Sequence, residues 1–310
     1  MKTHRAHIPA LTAFAVLTIL PTAWTAPPQA ADPFIELKPL GSFGQRPKDV
    51  AAPGRIAAVT ILADGGIAIL DETAHRILLF GGDGSWRGEA GGFGFDSGAL
   101  RSTGDLAAVG FELWASDPAA DRIVRYDQWL APLEPFTSVT GQDGNLAIER
   151  PVSAARSVQG DLIILEGDRS DGLLVDPEGR LVERVASFGQ AGLALIQPRR
   201  VETVTDHGFA IADPGIHAAV LLDRFGTLRG LRPWKLAGEG PWGITSGNRR
   251  LWLCGEGGIV VLSETGSELG RWTREMLGGP VQDLALRGDR LYAAVDDKLL
   301  VFRIMDGGGR

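Results

Sequence analysis

The sequence repeats itself six times, and this repeat limits the possible folds more than any other feature. Each copy holds an apolar run, a Gly-containing turn, a second apolar run ending near an acid, a short loop and a third apolar run. The third runs end at Phe80, Tyr126, Val175, Leu222, Leu262 and Phe302. The gaps between these points are 46, 49, 47, 40 and 40 residues. A mean spacing of about 44 residues is typical of a four-stranded propeller blade and not of a helical repeat.

The apolar runs have the length and composition of buried strands. They are four to six residues long, rich in β-branched and aromatic residues, and bounded by Gly, Asp and Pro. Such short continuous runs indicate strands that are covered on both faces, as in blades that stack against each other. The sequence therefore predicts an all-β fold.

The two ends of the repeat array complement each other. The sixth copy stops after Phe302 without a fourth strand, and the segment FIELKPLGSFG from Phe34 to Gly44 matches the fourth strand of the third copy, RLVERVASFG. We therefore expect the N-terminal segment to complete the last blade, which removes the open edges of the ring. The prediction is one domain over residues 32–310, a six-bladed β-propeller closed by an N-terminal strand.

Two copies carry a recognisable motif. The stretches GGIAILDETAHRILLFGGDG and FELWASDPAADRIVRYD place Arg76 and Arg122 at corresponding positions, and the other four copies lack this Arg. The chain resembles NHL-repeat six-bladed β-propellers over essentially all of its length after the first thirty residues. The resemblance implies the fold, but this fold serves scaffolds, receptors, lactonases and lyases alike, so it implies no single activity.

Residues 1–31 are predicted to be a secretory signal peptide. Lys2, His4 and Arg5 form a basic start, and the apolar run from Leu11 to Leu20 is shorter than the roughly 20 residues of a membrane span. No Cys lies near the expected cleavage region, which excludes a lipoprotein anchor. We expect a periplasmic or extracellular protein without a transmembrane segment after cleavage; an uncleaved N-terminal anchor is the alternative.

Charge and cysteine content narrow the choice of partners. The net charge is -7, and removal of Lys2 and Arg5 with the leader leaves 29 basic and 38 acidic residues, a net charge of -9. This balance argues against a nucleic-acid partner, which requires a basic surface. The single Cys254 lies in an apolar strand, so the sequence predicts an inert core thiol and no disulfide.

An acid near the end of each second strand is the most regular polar feature. One interpretation is a ring of carboxylates that binds a cation or a basic partner. The other is that each acid caps its own loop by accepting backbone N–H bonds, and the regular recurrence favours this structural role. The six acids are Asp71, Asp117, Asp168, Asp213, Glu256 and Asp296.

A divalent-metal-dependent hydrolase or lyase is the enzymatic alternative. Propellers of the gluconolactonase family hold a metal at the central channel with Glu, Asn and Asp, and such ligands suit Ca²⁺ or Mg²⁺. Only Asn145, in the loop before the third blade, is expected to reach the channel, whereas Asn248 lies in a turn. His75 and His217 are predicted in loops on one face, as the catalytic histidines of propeller lyases are, but solvated loop histidines are the ordinary interpretation.

The loops that lead into the blades contain aromatic and arginine residues. These residue types are enriched at binding hot spots. Gathered on one face of an acidic protein, they predict a partner site. The candidate residues are Arg46, Phe95, Arg150, Arg199, Arg200, Trp234 and Trp242.

The sequence therefore predicts an exported, non-catalytic propeller without a cofactor. Its loops would bind an unidentified exported protein or complex, either as a scaffold or as a subunit, because rigid strands can hold variable loops in place. The channel-based metal enzyme is the alternative hypothesis.

Overall fold

The computed structural model describes residues 35–44, 46–186, 194–204 and 208–306. The predicted signal peptide and His207 lie outside these ranges. Within them, no helix combines the length and the apolar content that crossing a bilayer requires.

The chain forms six four-stranded antiparallel sheets, which are the blades, and one short hairpin. It begins with β1 (Ile35–Ser42). Blade 1 contains β2 (Ile56–Ile61), β3 (Ile67–Asp71), β4 (Arg76–Phe80) and β5 (Trp86–Gly91). Blade 2 contains β6 (Leu106–Val109), β7 (Glu112–Asp117), β8 (Arg122–Asp127) and β9 (Pro132–Phe136). The hairpin contains β10 (Ser138–Gly141) and β11 (Gly144–Ala147).

The remaining four blades follow the same order from the inner to the outer strand. Blade 3 contains β12 (Pro151–Arg156), β13 (Leu162–Glu166), β14 (Asp171–Val175) and β15 (Leu181–Val185). Blade 4 contains β16 (Arg200–Val204), β17 (Gly208–Asp213), β18 (Ala218–Leu222) and β19 (Leu228–Pro233). Blade 5 contains β20 (Gly243–Gly247), β21 (Arg250–Gly255), β22 (Gly258–Ser263) and β23 (Glu268–Thr273). Blade 6 contains β24 (Val281–Arg287), β25 (Arg290–Val295) and β26 (Lys298–Asp306).

Within the described ranges, helical structure is confined to single turns between strands. It comprises α1 (Arg274–Leu277) and the 3₁₀ turns Pro118–Ala120 and Pro214–Ile216.

The N-terminal strand closes the ring, as the sequence predicts. β1 pairs antiparallel with β26, from Ile35 opposite Asp306 to Ser42 opposite Leu300, with an irregularity between Pro39 and Gly41. β1 therefore supplies the outer strand of blade 6, and the first and last segments of the propeller share one sheet.

The core confirms six blades. The buried apolar side chains form six clusters, one between each pair of neighbouring blades. The inner strands β2, β6, β12, β16, β20 and β24 contact each other in this order, and β24 returns to β2. Trp114 and Trp252 lie in second strands and pack between blades, where they stack on Phe136 and Trp272 at 6.0 Å between ring centroids.

The hairpin before blade 3 was not expected from the repeat. Val139 in β10 is buried in the core cluster between blades 2 and 3, and the Thr140 amide donates to the Gly179 carbonyl at 2.9 Å. Asn145 is exposed in β11, opposite Thr140. The prediction that Asn145 reaches the central channel is therefore wrong, because this segment packs along the blades instead.

The loops divide between two faces of the ring. We call the face with the loops between blades, together with the loops between second and third strands, the entry face. We call the face with the turns that join first to second and third to fourth strands the hairpin face.

Candidate functional site

One strand position recurs at the same level of the channel in all six blades. In each blade, this position on the first strand is opposite the next-to-last residue of the second strand. In five blades the residues at this position are Ala58, Ser153, Arg200, Gly243 and Asp283. In blade 2, the Ser116 amide donates to the Asp105 carbonyl, so Asp105 takes this position. We call these six residues the central belt.

Arg200 lies at the centre of the belt and contacts acids from two other blades. Its Nη1 donates to Asp105 Oδ1, its Nε lies 3.1 Å from Asp283 Oδ1, and its Nη2 donates to the Ala57 carbonyl. All three charged side chains are buried, with 8% or less of their surface exposed. The guanidinium therefore bridges blades 1, 2, 4 and 6 across the channel.

Further hydrogen bonds hold the two acids. Ser153 Oγ donates to Asp105 Oδ2 at 2.5 Å and accepts from the Val201 amide at 3.0 Å. The Val59 amide donates to Asp283 Oδ2 at 2.8 Å. Burial raises the pKa of Asp283, while the neighbouring Arg200 charge opposes that rise. The belt is thus a polar network in which each charged side chain contacts groups from other blades.

A cavity of about 200 Å³ lies on one side of the belt and opens toward the hairpin face. At the next inward-facing position the blades carry small residues, except for Glu202 in blade 4. These positions are Thr60, Ala107, Ala155, Glu202, Thr245 and Ala285. On the entry side, a second cavity of about 60 Å³ is also lined by Arg200. Arg200 therefore separates the two ends of the channel.

Among the described acids that line this cavity, Glu202 is the one that forms no ion pair with an arginine. Its Oε1 accepts from the Thr203 amide at 3.2 Å and lies 3.4 Å from the Thr203 hydroxyl. Burial, together with the nearby Asp283 charge, raises the pKa of Glu202 to about 7. The side chain can therefore gain or lose a proton near neutral pH.

The entry face carries an aromatic cluster. Phe93 and Phe95 are 69% and 76% exposed, and their ring centroids lie 6.4 Å apart. The Arg101 guanidinium lies 5.2 Å from the Phe95 ring, and the His75 ring packs against Phe93 at 5.4 Å. Arg199, just before blade 4, lies 5.3 Å from the ring of Trp242, which belongs to the loop before blade 5. These are cation–π and edge contacts that leave apolar surface in solvent.

Other predicted partner residues are more dispersed. Arg46 donates to the Val50 carbonyl at 3.0 Å within its own loop. The exposed Arg150 pairs with Asp168 at 3.1 Å. Both lie in blade-entry loops, and their partners, Val50 and Asp168, do not belong to the aromatic cluster.

Two of the predicted partner residues are buried. Arg200 lies in the central belt instead of on the rim, because the first residue of β16 points into the channel. Trp234 is only 8% exposed and belongs to the core cluster between blades 4 and 5. The predictions of Arg200 and Trp234 as surface contacts are therefore wrong.

Acids near the ends of the second strands accept hydrogen bonds from two loops, the one that follows the strand and the blade-entry loop of the same blade. Asp71 accepts from the amides of Gly54, Thr73 and Ala74, and from Arg76 Nε at 3.1 Å. Asp117 accepts from the amides of Arg101 and Ser102 and from Arg122 Nε, and Asp213 accepts from those of Ile196, Gln197 and Gly215. Each of these three acids therefore connects its own loop to the blade-entry loop that precedes it.

The other three predicted acids differ. In blade 3 the second strand ends at Glu166, which is buried and accepts from the Glu149 amide at 2.6 Å, so Asp168 is not the closing acid. Glu256 and Asp296 each follow the last residue of their second strand. Glu256 accepts from the Glu239 amide at 2.9 Å, and Asp296 is exposed. The predicted ring of six equivalent acids is therefore incomplete.

The remaining candidates make local contacts. His75 and His217 both lie in loops on the entry face with left-handed backbone conformations. Asn248 occupies a turn on the hairpin face. Cys254 is fully buried, and burial raises the pKa of its thiol. Among the described residues, no three His, Cys, Asp or Glu side chains are arranged to hold a metal ion.

Sequence reasoning missed Asp105, Glu202 and Asp283. A signal was present, because RVETV and VQDLALR place charged residues inside strands that are otherwise apolar. A charge in such a strand requires either a channel or a buried partner. The pairing of blades 2, 4 and 6 through Arg200 depends on the ring geometry, which a repeat pattern does not reveal.

Comparisons with known proteins support the fold. No family model matches the chain, and no curated protein sequence matches it significantly. A gluconolactonase from Xanthomonas campestris shares 14% identity and a TM-score of 0.64, covering 87% of this chain and 98% of that one. A catalytically inactive virginiamycin B lyase from Staphylococcus aureus with quinupristin shares 14% identity and a TM-score of 0.59, covering 87% and 100%. The WD40 propeller domain of Doa1 shares 12% identity and a TM-score of 0.61, covering 87% and 97%. At 12–14% identity, these similarities show a shared propeller fold.

Proposed function

We propose that this protein is an exported, non-catalytic propeller that docks another exported protein or complex on its entry face. The observation that carries the proposal is the central belt, in which Arg200 occupies the space between Asp105 and Asp283. The two belt acids are thereby neutralised by the chain itself and are not free to bind a metal. A role on the loops is the function that remains best supported.

The entry face offers a suitable surface. Phe93 and Phe95 expose most of their rings next to Arg101, and this combination is enriched at protein interfaces. Asp71 and Asp117 accept hydrogen bonds from backbone amides of the neighbouring entry loops. These bonds fix the loops, so the surface is preorganised for binding.

Capture of the partner tests this proposal. The protein, purified from its own cell envelope, is used as bait for envelope proteins. Replacement of Phe93 and Phe95 by Ser, with Arg101→Glu, should abolish retention of the partner without changing the melting temperature by more than about 2 °C. The matched control is Val182→Ser, which removes an exposed apolar side chain from an outer strand. Equal retention by the entry-face variant and the wild type would exclude this surface.

The second candidate function is an enzyme that acts in the channel. Glu202 favours it, because a carboxyl group with a pKa of about 7 can exchange a proton with a substrate in the cavity. A divalent metal does not fit the belt, since both belt acids contact Arg200. The melting temperature with and without EDTA tests the family-based expectation of bound Ca²⁺ or Mg²⁺. A lower melting temperature in the presence of EDTA would support a metal enzyme over the docking proposal.

A further inference from the structure

The turns of the hairpin face allow an internal comparison between blades. In five blades the third and fourth strands are joined by the same five-residue turn, closed by a hydrogen bond from its first amide to its last carbonyl at 2.7–2.9 Å. The middle residue of this turn projects outward. In chain order, these middle residues are Asp83, Trp129, Glu178, Phe225 and Thr265. Because Asp, Glu and Thr serve equally well in this geometry, the turn itself does not require Trp129 or Phe225.

The turns between first and second strands show the same contrast. Phe111 is the second residue of a two-residue turn, and the equivalent turns in blades 5 and 6 have Arg249 and Asp289 there. Val158 is the second residue of a five-residue turn, and its counterpart in blade 1 is Ala63. The hairpin face therefore has four apolar tips in blades 2–4 at positions where the other described turns carry polar or small residues.

The four tips are the most exposed large apolar side chains of this face. Trp129 is 73% exposed, Phe111 70%, Val158 94% and Phe225 66%. Folding does not bury them, so their hydrophobic surface adds nothing to the stability of the ring.

The four tips belong to adjacent structural units. Glu112, next to Phe111, pairs across the strands with Asp127, which begins the turn of Trp129. Val109, just before the turn of Phe111, packs against the core cluster that contains Leu162, the residue after the turn of Val158. The tips of blades 2 and 3 are therefore neighbours.

Blade 4 joins the same surface through an ion pair. Arg224, next to Phe225, lies 3.2 Å from Asp161, which ends the turn of Val158. We call Phe111, Trp129, Val158 and Phe225 together the apolar arc.

The charges around the arc are balanced. Glu112 pairs with Arg125 at 2.8 Å, Asp223 with Arg229 at 2.9 Å and Asp161 with Arg224. Asp127 accepts from the amides of its own turn. Arg156, next to the turn of Val158, brings the number of arginines in this group to four, equal to the number of acids. In a chain of net charge -7, these residues thus carry no net negative charge that would repel the phosphate of a lipid headgroup.

We infer that the apolar arc rests on a phospholipid bilayer with zwitterionic headgroups. Its side chains project from four separate turns, whereas a stable protein interface requires a continuous packed patch of about 800 Å² on each partner. A fluid bilayer can accept isolated protruding side chains, and Trp and Phe favour the boundary between headgroups and acyl chains. The entry face would then point away from the membrane, toward soluble partners.

Sedimentation with phosphatidylcholine vesicles tests this inference on the full chain. The arc variant combines Trp129→Thr, Phe225→Thr, Phe111→Asp and Val158→Ala, and each replacement is a residue that an equivalent turn already carries. Each lost aromatic tip should weaken the partition by about tenfold. The control variant replaces Phe93 and Phe95 by Ser, which removes two exposed aromatic side chains from the opposite face, and it should bind within twofold of the wild type.

A fluorescence measurement locates the contact independently of residues 1–34, which all variants share. In Val158→Cys, the introduced thiol is the accessible site for an environment-sensitive dye, because Cys254 is buried. Nitroxide-labelled lipid should quench this dye strongly, and it should quench a dye on Phe95→Cys weakly. Binding should also persist in 0.5 M NaCl, because apolar insertion is not screened by salt.

Three results would overturn the inference. They are equal vesicle binding by the arc variant and the wild type, equal quenching at positions 158 and 95, and absence of vesicle binding by the wild type. If the wild type instead forms a dimer that the arc variant loses, the arc is a protein interface and not a membrane surface.

Discussion

Replacement of Arg200 by Met should destabilise the propeller more than any substitution of a surface arginine. The change keeps most of the side-chain volume but removes the guanidinium that pairs with Asp105 and Asp283. Both acids are at least nine-tenths buried, so two carboxylates would remain in the channel without their cation. Loss of one partner from such a network costs about 3–5 kcal/mol.

The expected loss is measurable by thermal unfolding. In a chain of this size, 1 kcal/mol shifts the melting temperature by about 2 °C, so Arg200→Met should lower it by about 6–10 °C. The triple variant, with Asp105→Asn and Asp283→Asn in addition, should recover most of the difference because it leaves no unpaired charge. Intrinsic tryptophan fluorescence follows both transitions.

A small effect would refute this reasoning. If Arg200→Met unfolds within about 2 °C of the wild type, the belt does not bridge the blades as described. A triple variant that is less stable than the single variant would also contradict it, because the acids would then contribute stability without Arg200.

Three further predictions follow from other parts of the molecule. Because the folded protein keeps the Glu202 proton to a pH of about 7 whereas the unfolded chain releases it near 4.5, the stability of the wild type should fall between these pH values. Glu202→Gln should remove that fall, so the variant should be more stable than the wild type by about 2 kcal/mol at pH 8 and equally stable near pH 4. The melting temperature of both proteins is measured against pH. Parallel curves for the variant and the wild type would contradict the assigned pKa. Asp213→Ala should lower the free energy of unfolding in urea by about 2–3 kcal/mol, because it leaves three backbone amides without their acceptor. Asp168→Ala, which removes only an exposed ion pair, should lower it by less than about 1 kcal/mol. Equal losses would contradict the role of Asp213 in connecting the two loops. The pair Glu36→Cys and Met305→Cys should form a disulfide between the first and last strands, detectable by mass spectrometry, since these residues are opposite each other; a reduced pair under oxidising conditions would contradict closure.

The repeat allowed most of the fold to be predicted. Six copies with regular spacing determine the number of blades, and the predicted N-terminal segment contains β1, which supplies the strand that the last copy lacks. These inferences succeeded because strand patterning is local, and because a sheet edge without a partner must be covered. The hairpin of β10 and β11 escaped prediction because it belongs to one interblade space and has no counterpart in the repeat.

The candidate site was less predictable for a physical reason. Arg199 and Arg200 are adjacent in sequence, yet one lies on Trp242 at the surface and the other lies in the channel. Successive residues of a strand point in opposite directions, so an error of one residue in the strand boundary exchanges the two roles. Trp234 shows the same problem at the other end of a blade, because it begins a loop but packs in the core.

Two faces of the ring thus have distinct chemistry in this account. The entry face combines aromatic side chains with arginines and is proposed to dock a protein. The hairpin face of blades 2–4 carries the apolar arc and is inferred to contact lipid. The central belt lies between them, so that neither role requires passage through the channel.

Anomalous diffraction from crystals grown with Mn²⁺ distinguishes a channel centre held by Arg200 from one that binds a metal. We expect density for the Arg200 guanidinium between Asp105 and Asp283 and no anomalous peak there. A manganese peak between these carboxylates, with the Arg200 side chain displaced, would contradict the belt and would favour a metal enzyme.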